Sequence, residues 1–216
     1  MSDTAQAARF WDRAAPKYAK DPIADMASYN YTLERTKSYL SAEDRVVELG
    51  AGTSSTALEL APMVANYLST DVSSEMVRIG RDKAASSRVS SLQVEVATPA
   101  SLASRGDQYD AVLALNLLHL LPDVPAALAD VAKLTRAGGL FISKTGCLGS
   151  APVFKRAFFS VMIAAMSLIG KAPGTVQYLR VEELDAQIEA AGFEIIESAL
   201  DMGDVPRRYI VARKRT

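Results

Sequence analysis

Apolar and polar positions follow two rhythms along this chain. Residues 4–20 and 30–41 carry apolar groups at helical spacing with Pro22 between them, which predicts two helices ahead of the main body. From Arg45 the rhythm shortens. Strand-like runs recur at Arg45–Leu49, Asn66–Asp71, Leu92–Ala97, Tyr109–Leu115 and Leu140–Lys144, most of them separated by stretches of helical character. Val46–Val47 and Ala111–Leu115 are continuous apolar runs, as strands covered on both faces require. A β-α-β succession needs crossover helices, so the expected fold is α/β: a doubly wound, mostly parallel, Rossmann-like sheet. A helix over Val181–Ala191 closes at Gly192 and leads to two last strands, Phe193–Leu200 and Arg207–Arg213, bringing the expected sheet to seven strands. One domain accounts for the pattern. Its parts are an N-terminal helical cap (1–43), a core (45–145), a helical insertion after strand five (150–180) and a C-terminal helix with a strand pair (181–216).

The stretch Phe154–Ile169 departs from amphipathic spacing, being apolar nearly all round, and a helix of that kind is expected to be buried on most sides. A lid over an apolar substrate, a homodimer interface and ordinary core all fit it, and the flanking Lys155, Arg156 and Lys171 add shallow membrane attachment. It is too short to span a bilayer, since its most apolar part would measure about 20 Å as a helix against a hydrocarbon core of about 30 Å.

Composition narrows the chemistry. With 24 basic and 25 acidic residues the net charge is −1, so no global field draws the chain to nucleic acid, and the basic end (Arg207, Arg208, Arg213, Lys214, Arg215) is expected to be a solvated strand terminus. One cysteine, Cys147, and one histidine, His119, can form neither an internal disulfide nor a Cys/His metal cluster. The polar start, Met1 to Arg9, lacks the pattern of a signal peptide, so the expected location is cytoplasmic.

The glycine loop carries more. Strand Arg45–Leu49 runs into Gly50-Ala51-Gly52-Thr53-Ser54-Ser55, and helical spacing resumes at Thr56. Glycines at 50 and 52 permit a sharp turn close to a ligand. The next strand ends at Asp71, whose carboxylate is placed to accept both hydroxyls of a ribose. The identity of the nucleoside turns on Glu48, two residues before the first glycine. A carboxylate there would repel a pyrophosphate and would attract the cationic end of S-adenosylmethionine. The dinucleotide fingerprint also lacks its third glycine (Ser55), and neither a Tyr-x-x-x-Lys pair nor a Gly-x-x-x-x-Gly-Lys loop is present. A nicotinamide-dependent oxidoreductase and a non-catalytic cofactor-binding module remain as other classes.

Four segments in order carry a family resemblance. Val46-Val47-Glu48-Leu49-Gly50-Ala51-Gly52-Thr53-Ser54 resembles motif I of the class I S-adenosylmethionine-dependent methyltransferases. Thr70-Asp71-Val72-Ser73 with Met76 resembles the segment after it, Tyr109–Asn116 followed by Leu118-His119-Leu120-Leu121-Pro122-Asp123 resembles motif IV, and Arg136-Ala137-Gly138-Gly139-Leu140 stands at the family's turn before strand five. The branch it most resembles is that of the ubiquinone/menaquinone-type methyltransferases. Two departures are Ser54, where motif I has a third glycine, and Ala97-Thr98-Pro99, where an acid for the adenine amino group is usual. The resemblance implies S-adenosylmethionine as cofactor, S-adenosylhomocysteine as product, and a small, lipid-like or quinone-like acceptor. It implies cofactor contacts from Glu48, Gly50, Ala51, Gly52, Asp71, Val72, Met76, Ala97, Thr98, Leu115 and Asn116. Tyr18, in a segment resembling the family's N-terminal cover, is expected to offer its ring to a sulfonium or to join Phe10 and Trp11 in the core. His119 is either a general base for the acceptor or a packed ring, and Asn116 is either a cofactor contact or a turn residue.

Overall fold

A computed structural model describes residues 3–168, 172–201, 203 and 205–216. Two helices come first, α1 (Asp3–Tyr18) and α2 (Met26–Lys37). The alternation follows as β1 (Arg45–Leu49), α3 (Ser55–Leu60), β2 (Asn66–Asp71), α4 (Ser74–Ser87), β3 (Leu92–Val96), α5 (Pro99–Ala103), β4 (Tyr109–Leu115), α6 (Val124–Leu134) and β5 (Thr135–Gly146). Then come α7 (Val153–Leu168), α8 (Val181–Ala190), β6 (Phe193–Asp201) and β7 (Arg207–Lys214). The strands form one sheet of order β3-β2-β1-β4-β5-β7-β6, in which β7 alone runs antiparallel to its neighbours.

The order reverses between β1 and β4, and there the carboxyl ends of the strands open a crevice. Register explains the apolar runs. Val47, Val112 and Phe141 lie side by side on one face, and Val46, Ala111 and Leu140 on the other, through the pairs Val46↔Ala111, Val47↔Val112, Val112↔Phe141 and Ala111↔Leu140. Val47, Val112 and Phe141 join the core packed around Leu128, Leu184 and Phe193, while Val46 and Ala111 join the core around Ala57, Leu60 and Tyr67. Helices on both faces leave neither side of the central strands to water.

The second helix begins four residues before the expected 30–41. Asp25 is its N-cap, its side chain accepting from the Ser28 N–H at 3.0 Å, a local stop that outweighs hydrophobic spacing. The larger correction concerns the apolar insertion. Val153, Phe154, Phe158 and Val161 are 65–72% exposed, and no described side chain of α7 is buried. Ordinary core is therefore excluded for the described part of that helix, because spacing alone does not say whether a partner surface exists. Ile169 and Lys171 lie outside the described residues. The basic end also differs from expectation. Arg208 makes a two-pronged pair with Asp185, and Lys214 donates to the carbonyls of Ala132 and Thr135. None of the helices, among the described residues, is long and apolar enough to cross a membrane.

Candidate functional site

A cavity of about 700 Å³ opens at the crevice between β1 and β4, within the usual size range of ligand pockets. All twelve residues expected to contact a cofactor line it: Tyr18, Glu48, Gly50, Ala51, Gly52, Asp71, Val72, Met76, Ala97, Thr98, Leu115 and Asn116. They come from the ends of four strands, β1 to β4, and from the N-terminal cap, and only the parallel topology gathers them.

The loop after β1 is shaped by two positive backbone angles, Gly50 at φ 64° and Gly52 at 57°. A Cβ at Gly50 would also meet Leu117 Cδ1 at 2.5 Å, so the position demands glycine on space as well as on angle. At the departure from motif I, Ser54 holds the left-handed conformation at φ 58° without being glycine, and its hydroxyl is 2.8 Å from that of Ser69 on β2. Room for it comes from Gly80 on α4, where an added Cβ would lie 2.5 Å from Ser54 Oγ. The missing glycine is thus replaced by a serine, a facing glycine and a buried hydroxyl pair. Lys83 braces the loop from outside, donating to Thr53 and Ser55 at 2.9 Å each.

Electrostatics separates two kinds of ligand. Asp71 accepts from the Gly52 N–H at 2.9 Å and the Ser73 N–H at 2.8 Å, while Ala51 N–H donates to the Thr70 carbonyl and Ser54 N–H to that of Ala51. The Ala51, Gly52 and Ser54 amides, which a phosphate at this turn would seek, are thus spent inside the protein. Each Asp71 oxygen keeps a lone pair for a further donor. Burial holds that carboxyl above its usual range, against the pull of the backbone N–H groups. Glu48 is 3% exposed and accepts from the Tyr67 hydroxyl at 2.8 Å, and burial pushes it up to about 7. Two carboxylates short of donors suit a ligand with hydroxyls and a cation, and disfavour a diphosphate.

The cap is fastened over this wall. Asp12 on α1 accepts from Ser73 Oγ at 2.7 Å, from the Glu75 N–H at 3.0 Å and from Ser74 Oγ at 3.3 Å, so it sits at the start of α4. That bond set carries Tyr18 to the mouth, where its ring is 3.6 Å from the position a Cβ of Gly52 would take. Tyr18 also meets Trp11 edge to face, but at 54% exposed it joins no core, unlike the packed alternative expected for it. Sequence reasoning missed Asp12. A carboxylate inside an amphipathic helix carries no local sign of capping another helix.

Thr98 is the N-cap of α5 in a reciprocal box with Ser101: its N–H donates to Ser101 Oγ and its hydroxyl accepts from Ser101 N–H. The Thr98 N–H is therefore taken within the protein, and the hydroxyl hydrogen is what Thr98 has left for a ligand. Asn116 has φ 61°, a left-handed position that asparagine tolerates, and its N–H donates to the Lys144 carbonyl at 2.7 Å.

His119 is the expectation that the geometry does not gather in. It occupies a short 3₁₀ turn, Leu118–Leu120, and the neighbouring Leu117, Leu120 and Leu121 line the cavity while its ring does not. The imidazole turns against Gly146, Nδ1 has no hydrogen-bond partner among the described residues, and burial pushes it down to about 4. It is a packed ring with little basicity near neutrality.

Comparison with known proteins agrees with the geometry. Residues 47–141 match the family model described as a methyltransferase domain. The ubiquinone biosynthesis O-methyltransferase of Sinorhizobium fredii is 29% identical over 71% of this chain, and the chain spans 61% of that relative's length. The magnesium protoporphyrin IX methyltransferase of Synechocystis PCC 6803, crystallised with S-adenosylmethionine, is 18% identical with a TM-score of 0.71, over 99% of this chain and 98% of that one. Residues 47–141 of this chain are thus similar to a methyltransferase domain. The same fold serves another reaction, since the [4+2]-cyclase SpnF superposes with a TM-score of 0.78 at 17% identity, over 99% of this chain and 97% of that one. The Synechocystis enzyme has also been crystallised with S-adenosylhomocysteine.

Proposed function

We propose that this protein methylates an oxygen of a small, partly apolar acceptor. The observation that carries the proposal is the pairing of two buried carboxylates, Glu48 and Asp71, with a loop whose Ala51, Gly52 and Ser54 amides are already satisfied. When bound, S-adenosylmethionine supplies an electrophilic methyl on a cationic sulfur. Asp71 would hold the ribose hydroxyls, Glu48 the cationic amine, and the Tyr18 ring the region nearest the sulfonium. Thr98 would offer its hydroxyl to the adenine. Beyond Asn116 the cavity continues between α2 and the 117–122 turn, past Ile23, Leu33, Leu117, Leu120 and Leu121, and this apolar wall favours an acceptor with a greasy body. The naming of the Sinorhizobium relative as an O-methyltransferase of ubiquinone biosynthesis supports the same class.

In this proposal His119 takes no proton. The protein acts by alignment and by excluding water, effects worth about 7–11 kcal/mol when reactants are well oriented. Thermal unfolding with each nucleoside tests the donor. S-adenosylhomocysteine should raise the midpoint, whereas NAD(H) should leave it unmoved, and the reverse pattern would overturn the proposal.

A further inference from the structure

Deep in the acceptor end of the cavity lies a cation that nothing described so far uses. Lys144 stands at the carboxyl end of β5, paired in register with Leu115, and its side chain passes under α2. It is 7% exposed. Its ammonium donates to the Ser28 carbonyl at 3.1 Å and to Ser28 Oγ at 2.7 Å. An ammonium has three donors, and no described residue accepts the third.

The nearby carboxylates are otherwise engaged. Asp25 receives Arg207 at 2.9 Å, and Asp201 receives the Ser28 hydroxyl at 2.9 Å and Arg207 at 3.5 Å. No ion pair joins Lys144 to a described carboxylate. Burial and the charge of Arg207 lower its affinity for a proton, and Asp201 and Asp25 partly restore it. An ammonium desolvated without its own counter-ion is costly, and a cavity that presents one is built for an anion to complete. Ser28 fixes the direction, because it accepts from Lys144 while donating to Asp201.

Building on the methyltransferase reading, we propose that Lys144 receives an anionic oxygen of the acceptor, so that the substrate class is an ionisable phenol, enol or carboxylic acid bound as its oxyanion. The acceptor's proton is lost to solvent before binding, and the ammonium stabilises the charge that remains on the attacking oxygen. Lys144 thereby does the work expected of His119 without acting as a base. The position suits it, since its own carbonyl anchors the Asn116 N–H on the wall where cofactor and acceptor would meet.

The test uses the full chain saturated with S-adenosylhomocysteine and measures binding of benzoate, benzamide and para-nitrophenol. In the native protein benzoate should bind roughly tenfold to a hundredfold tighter than neutral benzamide. Bound para-nitrophenol should show the phenolate spectrum at a pH where the free phenol is largely protonated. In K144M the benzoate preference and the spectral shift should vanish while S-adenosylhomocysteine affinity stays within about twofold. K144R should keep both signals. Equal binding of benzoate and benzamide by the native chain overturns the inference whatever the variants do, and so does a K144M protein that keeps the preference. Failure of S-adenosylhomocysteine to bind the native chain would instead strike at the cofactor reading.

Discussion

Glu48 offers the sharpest test, because its charge and its ligand are coupled. Buried beside Tyr67 and near Asp71, it is held up to about 7 in the empty protein, against 4.5 for an ordinary glutamate. A cationic amine binds the ionised form. At pH 6 about one Glu48 in eleven is ionised, and at pH 8 about ten in eleven, so affinity for S-adenosylhomocysteine should rise about tenfold between them, or ~1.4 kcal/mol. Stability of the empty protein must move the other way. The folded state holds this proton more tightly than the unfolded chain, so the contribution is complete below about 4.5 and is lost as pH rises to about 7. Isothermal calorimetry at pH 6, 7 and 8 measures the first effect. Glu48→Gln should bind weakly at every pH with a flat profile. A flat profile in the native protein, or a slope that survives in Glu48→Gln, would refute the assignment of the amine to Glu48.

Asp71→Asn keeps the loop bonds to Gly52 and Ser73 only in part and removes the charge that ribose hydroxyls seek, so cofactor affinity should fall by roughly 1–3 kcal/mol in the same calorimetry. Asp12→Ala strips the start of α4 of its acceptor and should cost about 1 kcal/mol, seen as a lower unfolding midpoint and as faster proteolysis within α1. Gly80→Ala should destabilise the protein by about 1–3 kcal/mol through collision with Ser54, and adding Ser54→Gly should recover part of that loss in denaturant titrations. If the double variant is no more stable than Gly80→Ala alone, the fitted pair is not what Gly80 serves.

The order of residues alone implied the class of fold and which side chains would line the cavity. Both depend on local patterns, namely continuous apolar strands that need cover on two faces, glycines at 50 and 52 where the chain must turn, and carboxylates at fixed distance along strands whose parallel order was implied by the helices between them. Direction was harder to read. Whether His119 faces the ligand depends on one turn of 3₁₀ helix, and whether α7 is covered depends on what lies opposite it, so neither follows from residue type. The proposed acceptor end rests on tertiary structure alone. Ser28, Lys144, Asp201 and Arg207 come from α2, β5, β6 and β7, and only the antiparallel return of the last strand brings them within hydrogen-bonding reach. Hydrogen bonds between residues more than a hundred positions apart leave no spacing in the sequence, because each partner is chosen by its place in the fold.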